Sequence, residues 1–190
     1  MGYRWVVGAG GLYLALAFAA VQAAPGAWAI QHDESRLGFI ATQEGEAFEG
    51  EFAEFDAEMR FSKDALDESR FDVTVDVTSI DAGNSQRNDL LPDEEWFFFE
   101  RFPRATYVTS TIREGDDAPF EAVGTLTLRG VEREITLPFE WRTEGDRAFM
   151  QGRVTLNRRH FDIGQGEWAD DDTVAYPVEV VVDLTLERRK

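Results

Sequence analysis

The 190-residue chain contains no cysteine, two histidines (His32 and His160) and two lysines (Lys63 and Lys190). Without a thiol there is no disulfide staple, thiolate zinc centre, iron–sulfur cluster or cysteine nucleophile. Two histidines argue against a histidine-rich metal site. Positive charge is also scarce: 19 Lys+Arg stand against 37 Asp+Glu, a net charge of −18, with Arg doing nearly all the balancing. Such a chain repels phosphates rather than neutralising them, so nucleic acid is set aside as a partner. Enzyme signatures are missing too. There is no phosphate loop, no Gly-x-Ser-x-Gly elbow, no His-Glu-x-x-His and no Gly-x-Gly-x-x-Gly after a strand. What is present is apolar: 43% hydrophobic and 13% aromatic residues, including 15 Phe, too many for a disordered acidic chain.

Arg4, the uncharged run from Val6 to Val21 and the small residues Ala23 and Ala24 have the layout of an export signal. Val21-Gln22-Ala23 fits the small-x-small cleavage pattern, and Pro25 disfavours a cut directly before it. Residues 1–23 are therefore expected to be removed, leaving residues 24–190 as one exported domain. The alternative is an uncleaved anchor, for which a run of about 16–19 Gly- and Ala-rich residues is marginal.

Beyond residue 28 the dominant period is two. Phe71, Val73, Val75 and Val77 alternate with Asp72, Thr74, Asp76 and Thr78, the pattern of a strand with one wet face. Val178, Val180, Val182, Leu184 and Leu186 repeat it. Phe120 to Leu128 and Ile135 to Trp141 flank a turn at Gly130 and read as a hairpin. Further strands are expected over Leu37–Thr42, Phe48–Phe52, Phe55–Phe61, Arg104–Arg113 and Phe149–Asn157. Phe52 and Phe55 are three apart, so a bend at Ala53–Glu54 must switch the face. The expected fold is all-β: an antiparallel barrel of about eight strands, closed so that no edge is exposed, with a sandwich as the competitor. Asn84 to Phe102 interrupts the alternation. Asn84 or Ser85 can cap a short helix, and Pro92-Asp93-Glu94-Glu95 resembles a second helix start. A two-turn helical insertion is expected there, its aromatic run Trp96 to Phe99 plus Phe102 plugging one end of the barrel.

Acidic clusters such as Asp93-Glu94-Glu95 and Asp170-Asp171-Asp172 read as solvated surface, because no calcium-loop spacing accompanies them. The positive feature is an apolar barrel interior. Eight strands enclose a space just wide enough to be filled by side chains or to hold one small apolar ligand. Composition alone leaves both open.

Several segments together resemble the YceI-like family of exported polyisoprenoid-binding proteins. They are Trp28-x-Ile30 with Ser35-x-Leu37-x-Phe39; Phe48-x-Gly50-x-Phe52-x-x-Phe55; Ser79-Ile80 with Asn84 through Leu91; and Trp96-Phe97 with Phe102-Pro103-x-Ala105-x-Tyr107. Gly124-x-Leu126-Thr127-Leu128-Arg129-Gly130-Val131, Asn157-Arg158-x-x-Phe161-x-Ile163-Gly164 and Gly166-x-Trp168 complete the set, which covers residues 28–189. The resemblance implies a lipocalin-like antiparallel barrel whose lumen takes a long isoprenoid chain, of polyprenyl phosphate or isoprenoid quinone type. Many relatives carry a histidine in an Arg-Asp-x-His-Leu segment, where this chain has Arg87-Asn88-Asp89-Leu90-Leu91. The Trp96-Phe97 and Gly166-x-Trp168 variants suggest a branch associated with cytochrome b561-type membrane proteins, which makes such a protein the implied partner.

Under this reading Phe39, Phe52, Val75, Trp96, Phe98, Leu126, Phe139 and Trp141 line the lumen. Arg87 and Arg158 are the candidates to meet an anionic head group, or else to form structural ion pairs. No catalytic residue, metal or cofactor is expected beyond a bound isoprenoid lipid. Three functions follow: a periplasmic lipid carrier or sequestering protein; a non-catalytic accessory protein of a cytochrome b561-type complex; and, least favoured, a lipid-ester hydrolase using His32 or His160.

Overall fold

A computed structural model describes residues 25–189. The expected export signal, residues 1–23, lies outside the described residues. Eleven strands and one helix follow in order: β1 (Gly26–Ile30), β2 (Arg36–Gln43), β3 (Glu46–Phe52), β4 (Phe55–Phe61), β5 (Arg70–Asp76), β6 (Ile80–Asp81), α1 (Ser85–Leu90), β7 (Arg104–Glu114), β8 (Phe120–Leu128), β9 (Val131–Glu144), β10 (Arg147–Asn157) and β11 (Pro177–Arg188). The eleven segments make eight strand courses. β1 and β2 are one course broken by a 3-10 turn at His32–Glu34, and β5 and β6 are one course broken at Val77–Ser79. β3 and β4 are broken at Ala53–Glu54, where the change of face required a bend.

Each course pairs antiparallel with the next, and the last returns to the first. β11 pairs with β1 from Trp28↔Arg188 to Ile30↔Leu186, and with β2 from Glu179↔Ile40 to Asp183↔Arg36. The ring is thus an eight-course closed barrel, not a sandwich. β9 pairs with β8 along its whole inner half, but with β10 only from Phe139↔Gly152 to Glu144↔Arg147.

Side chains repair the ladder where the courses break. The Ser35 hydroxyl accepts from the Thr185 amide at 3.0 Å and donates to the Thr185 carbonyl at 3.2 Å. Ser79 Oγ accepts from the Glu54 amide at 2.9 Å and donates to the Asp76 carbonyl at 2.7 Å. The β8–β9 hairpin turns in two residues, Arg129 and Gly130, both at positive φ, the turn whose twist matches that of the flanking strands.

The segment after α1 corrects one expectation. Asn84 does cap α1, its side chain accepting from the amides of Gln86 and Arg87. However, Pro92 starts no second helix. Residues 92–102 form tight turns, with Phe98 at φ 50°. A helix would spread four consecutive aromatic rings around its axis; the turns aim Trp96 and Phe97 inward and send Phe98 against Phe102.

A bulge between Thr109 and Thr111 on β7 marks the other end of the barrel. Buried Thr109 bridges it through its hydroxyl, accepting from the Phe71 amide at 2.9 Å and donating to the Phe71 carbonyl at 3.1 Å. Thr109→Val keeps the shape and leaves both Phe71 groups unpaired, a cost of about 1–3 kcal/mol. Denaturant unfolding should register that loss; an unchanged midpoint would contradict the role given to the hydroxyl.

Candidate ligand-binding lumen

The inward rows of the strands change character along the barrel. On β11, Val178, Val180 and Val182 are half-buried, whereas Leu184 and Leu186 are 7% and 0% exposed. On β10, Leu156 and Val154 are half-buried, and Met150 and Ala148 are sealed. On β5, Val75 and Val73 are half-buried and Phe71 is sealed. Side chains of one row should be equally buried if the barrel were packed throughout. The shift from sealed to half-buried, repeated on neighbouring courses, marks where packing gives way to hollow space.

The sealed end is an aromatic floor. The Phe61 ring lies 4.5 Å from Trp141, 5.1 Å from Phe120, 5.6 Å from Phe139 and 6.1 Å from Phe71, between ring centres. Trp28 meets Trp141 edge-on at 5.4 Å, and its indole N–H donates to the Phe61 carbonyl at 3.2 Å. Aromatic pairs of this kind add about 0.5–1.5 kcal/mol each beyond area burial.

Above the floor lie two chambers. The deeper one, of about 170 Å³, is walled by residues including Val73, Val75, Leu126, Ile135, Val154 and Val182. The one nearer the opposite end, of about 160 Å³, is walled by residues including Phe39, Phe48, Ile80, Trp96, Phe97 and Phe161. Phe52, Leu128, Leu156 and Val180 line both, so the two form one lumen with a waist. Val178 and Leu184, at its two ends, are six residues apart on β11, roughly 20 Å of strand at about 3.3 Å per residue. Apolar cavities of such size stay dry unless an apolar guest enters. Among the described residues that line the deeper chamber, Tyr107 brings the only hydroxyl. It donates to the Ala122 carbonyl at 2.7 Å, and burial pushes its pKa up.

A two-part lid covers the second chamber. Residues 84–103 form one part and residues 158–176 the other. The amides of Gly164 and Gln165 both donate to the Glu95 carbonyl at 2.8 Å, and Trp96 and Trp168 meet at 5.5 Å. Arg158 organises the second part. It is 4% exposed and spends all five of its N–H donors on backbone carbonyls. Nε donates to Ala175 at 3.2 Å, Nη1 to Ile163 and Gly164 at 2.9 and 3.2 Å, and Nη2 to Asp170 and Val174 at 2.6 and 2.7 Å. Desolvation is the main reason its pKa is lowered. Gly164 sits at φ 75° against the guanidinium, where a Cβ would overlap it. From the other side, Arg129 of the β8–β9 turn reaches the Glu94 carbonyl.

The sequence-derived lining residues divide accordingly. Phe39 and Trp96 wall the lid-side chamber, Val75 and Leu126 the deeper one, and Phe52 both. Phe139 and Trp141 face inward as expected but belong to the packed floor, so they are corrected out of the chamber walls. Phe98 lies outside as well, turned toward Phe102 by its positive φ. Arg158 is no free head-group ligand and makes no ion pair among the described residues; it is a carbonyl clamp. Arg87 stays at the chamber rim, half-buried over the Phe48 ring at 3.9 Å, with Nε on the Ala82 carbonyl and Nη1 on Gln43 Oε1, both at 3.1 Å. Of the waist residues, Leu128 and Val180 fall on apolar faces of the alternating pattern and Leu156 lies in the expected strand Phe149–Asn157, but nothing local distinguishes them. The Asp170–Asp172 run is exposed. His32 packs edge-on against Phe55 at 5.5 Å, and the His160 carbonyl accepts from Arg133.

Removing the clamp with Arg158→Met should free five carbonyls and cost at least about 2 kcal/mol. Hydrogen exchange should then quicken across 159–176 while the β10–β11 ladder stays protected. Uniform protection would contradict the clamp.

A family model described as a YceI-like domain matches residues 28–186. Protein YceI of Salmonella arizonae is 30% identical over 121 residues, 60% of this chain, and the match spans 62% of that relative's length. Among solved structures, Burkholderia cenocepacia BcnA superposes with a TM-score of 0.78 at 28% identity, covering 82% of this chain and 98% of BcnA. A polyisoprenoid binding domain from Saccharophagus degradans, implicated in plant cell wall breakdown, superposes at 0.67 and 16% identity, covering 86% of this chain and 99% of that one. The last of these shares the fold alone.

Proposed function

The chain belongs to the YceI-like domain family, and on that footing we propose that it is a non-catalytic lipid-binding protein, holding a long isoprenoid chain in its lumen. The observation that carries the reading is the two-chamber lumen itself. It is long and narrow, its deeper chamber is walled by apolar side chains apart from the Tyr107 hydroxyl, and no side chain of the barrel fills it. A ligand for such a space must be apolar and extended. Burial contributes about 0.8 kcal/mol per CH₂ group, so a long chain outweighs the cost of ordering it. Branched Val, Leu and Ile walls suit a chain that carries methyl branches. The resemblance of the fold to a polyisoprenoid binding domain supports the same class of ligand.

In this reading the protein is exported to the periplasm, where an isoprenoid tail of a polyprenyl phosphate or a quinone needs shelter from water. The protein serves there as carrier or sequestering protein. The full chain carries −18, and removal of Arg4 with the export signal makes the mature charge −18 − 1 = −19; this opposes adhesion to anionic lipid surfaces, so transfer proceeds through brief encounters or a docking partner.

Organic extraction of the purified protein followed by mass spectrometry should yield an isoprenoid, and protein stripped of it should take up a long-tailed isoprenoid quinone. Val180→Trp places an indole at the waist between the chambers. It should weaken binding of the long tail at least about tenfold, or 1.4 kcal/mol, with the circular dichroism spectrum unchanged. Repeated recovery of empty protein with no uptake, or a Val180→Trp variant that binds as tightly as the parent, would sink the reading.

A further inference from the structure

The barrel wall is not equally closed all round. From Gly152 toward the lid, β10 residues 153–157 pair with β11 but not with β9, and β9 residues 131–138 pair with β8 but not with β10. Pro138 explains where the seam begins. A Cβ on Gly152 would lie 2.9 Å from the Pro138 carbonyl oxygen, so that oxygen faces β10. In an antiparallel strand a residue's nitrogen faces the same side as its oxygen, and the Pro138 nitrogen has no hydrogen to give. The first ladder bond past Gly152 is therefore lost, and the two strands run on toward the lid without pairing.

Outside this seam lies a groove of about 280 Å³, lined by Arg133, Glu134, Thr155, Asn157 and His160 together with Ile135, Leu156 and Phe161. The last three also line the lumen: Ile135 the deeper chamber, Phe161 the lid-side chamber and Leu156 both. Groove and lumen are thus separated by only one layer of side chains, at the place where the backbone ladder is missing. Among the described residues, the one bond reaching across the seam from β9 residues 131–138 is Arg133 Nε to the His160 carbonyl, at a long 3.3 Å.

We propose that the β9–β10 seam is a lateral portal: the apolar chain passes through the wall between Ile135 and Leu156 while its polar head stays in the groove outside. The proposal rests on the lumen being the lipid site. The head that fits carries hydrogen-bond-accepting oxygen without multiple negative charge, as a quinone or an alcohol does. Arg133, the Asn157 amide, the Thr155 hydroxyl and the unpaired strand amides offer donors, while Glu134 and the acidic chain as a whole oppose a phosphate.

Because the chain has no cysteine, the portal can be sealed selectively. Continuing the register Phe139↔Gly152 sets Thr136 opposite Thr155, both outward. Thr136→Cys/Thr155→Cys, joined by a short thiol–thiol crosslinker, closes the seam. Glu44→Cys/Thr173→Cys ties the β2–β3 hairpin to the lid, since the Glu44 amide already donates to the Thr173 carbonyl at 2.8 Å. Uptake of an isoprenoid quinone from detergent micelles is followed by quenching of tryptophan fluorescence. Crosslinking the seam should slow uptake and release at least about tenfold relative to the same protein before crosslinking, whereas locking the lid changes them less than about twofold. Pro138→Val, which returns the missing donor, should slow exchange in the same direction without any crosslinker. Undiminished exchange through a sealed seam, or slowing by the lid lock instead, overturns the portal. If no form, crosslinked or not, takes up the quinone, it is the lumen reading that has failed, and the portal with it. A polyprenyl phosphate bound more tightly than the quinone of equal tail length overturns the head-group assignment.

Discussion

The hydrogen-bonded ring that β11 closes against β1 and β2 is the constraint on which the rest depends. Eight antiparallel courses with a fixed register set the circumference, and side chains cannot narrow it. What happens inside is then a question of volume. At the floor, Trp28, Phe61, Phe71, Phe139 and Trp141 are large enough to meet across the diameter. One level higher β5, β10 and β11 offer Val73, Val75, Val154, Val180 and Val182, which cannot reach one another. The hollow is therefore not a packing defect but the consequence of placing β-branched residues where the ring forbids collapse.

The lid solves the opposite problem. Residues 158–176 are polar and irregular, yet they cover an apolar chamber, so their carbonyls must find donors without water. Arg158 supplies five from a single side chain, and the Glu95 carbonyl joins the two halves of the lid. An arginine suits this task because its planar fork stays charged even where burial lowers its pKa. The result is a cap on one end and an aromatic plug on the other, with a stretch of wall between β9 and β10 that lacks its ladder.

Much of this was legible in the sequence, and the boundary of what was not is physical. Alternation in Phe71–Val77 and Val178–Leu186 identified the strands and their inward faces, and the spacing of Phe52 and Phe55 located the bend between β3 and β4. Alternation gives a face, however, not a height along the barrel axis. Phe139 and Trp141 were thus assigned to the lumen although they stand at floor level. Whether an inward valine is packed or bare depends on residues across the ring, far apart in sequence. Arg158 drew notice as a charge in a motif, but its five partners are fixed only by the path of the loop it holds. Phe98 escaped because a positive φ at a phenylalanine has no local signature. The meaning of Pro138 also depended on knowing which neighbour its nitrogen faces.

The contrast between packed floor and hollow lumen can be read methyl by methyl. In a methyl-labelled sample titrated with an isoprenoid quinone, the account predicts that Val73, Val75, Leu126, Leu156, Val180 and Val182 shift strongly, while Ala122, Ala148 and Leu186 at the floor stay put. Shifts confined to surface methyls, or floor methyls moving as much as those of the chambers, would contradict it.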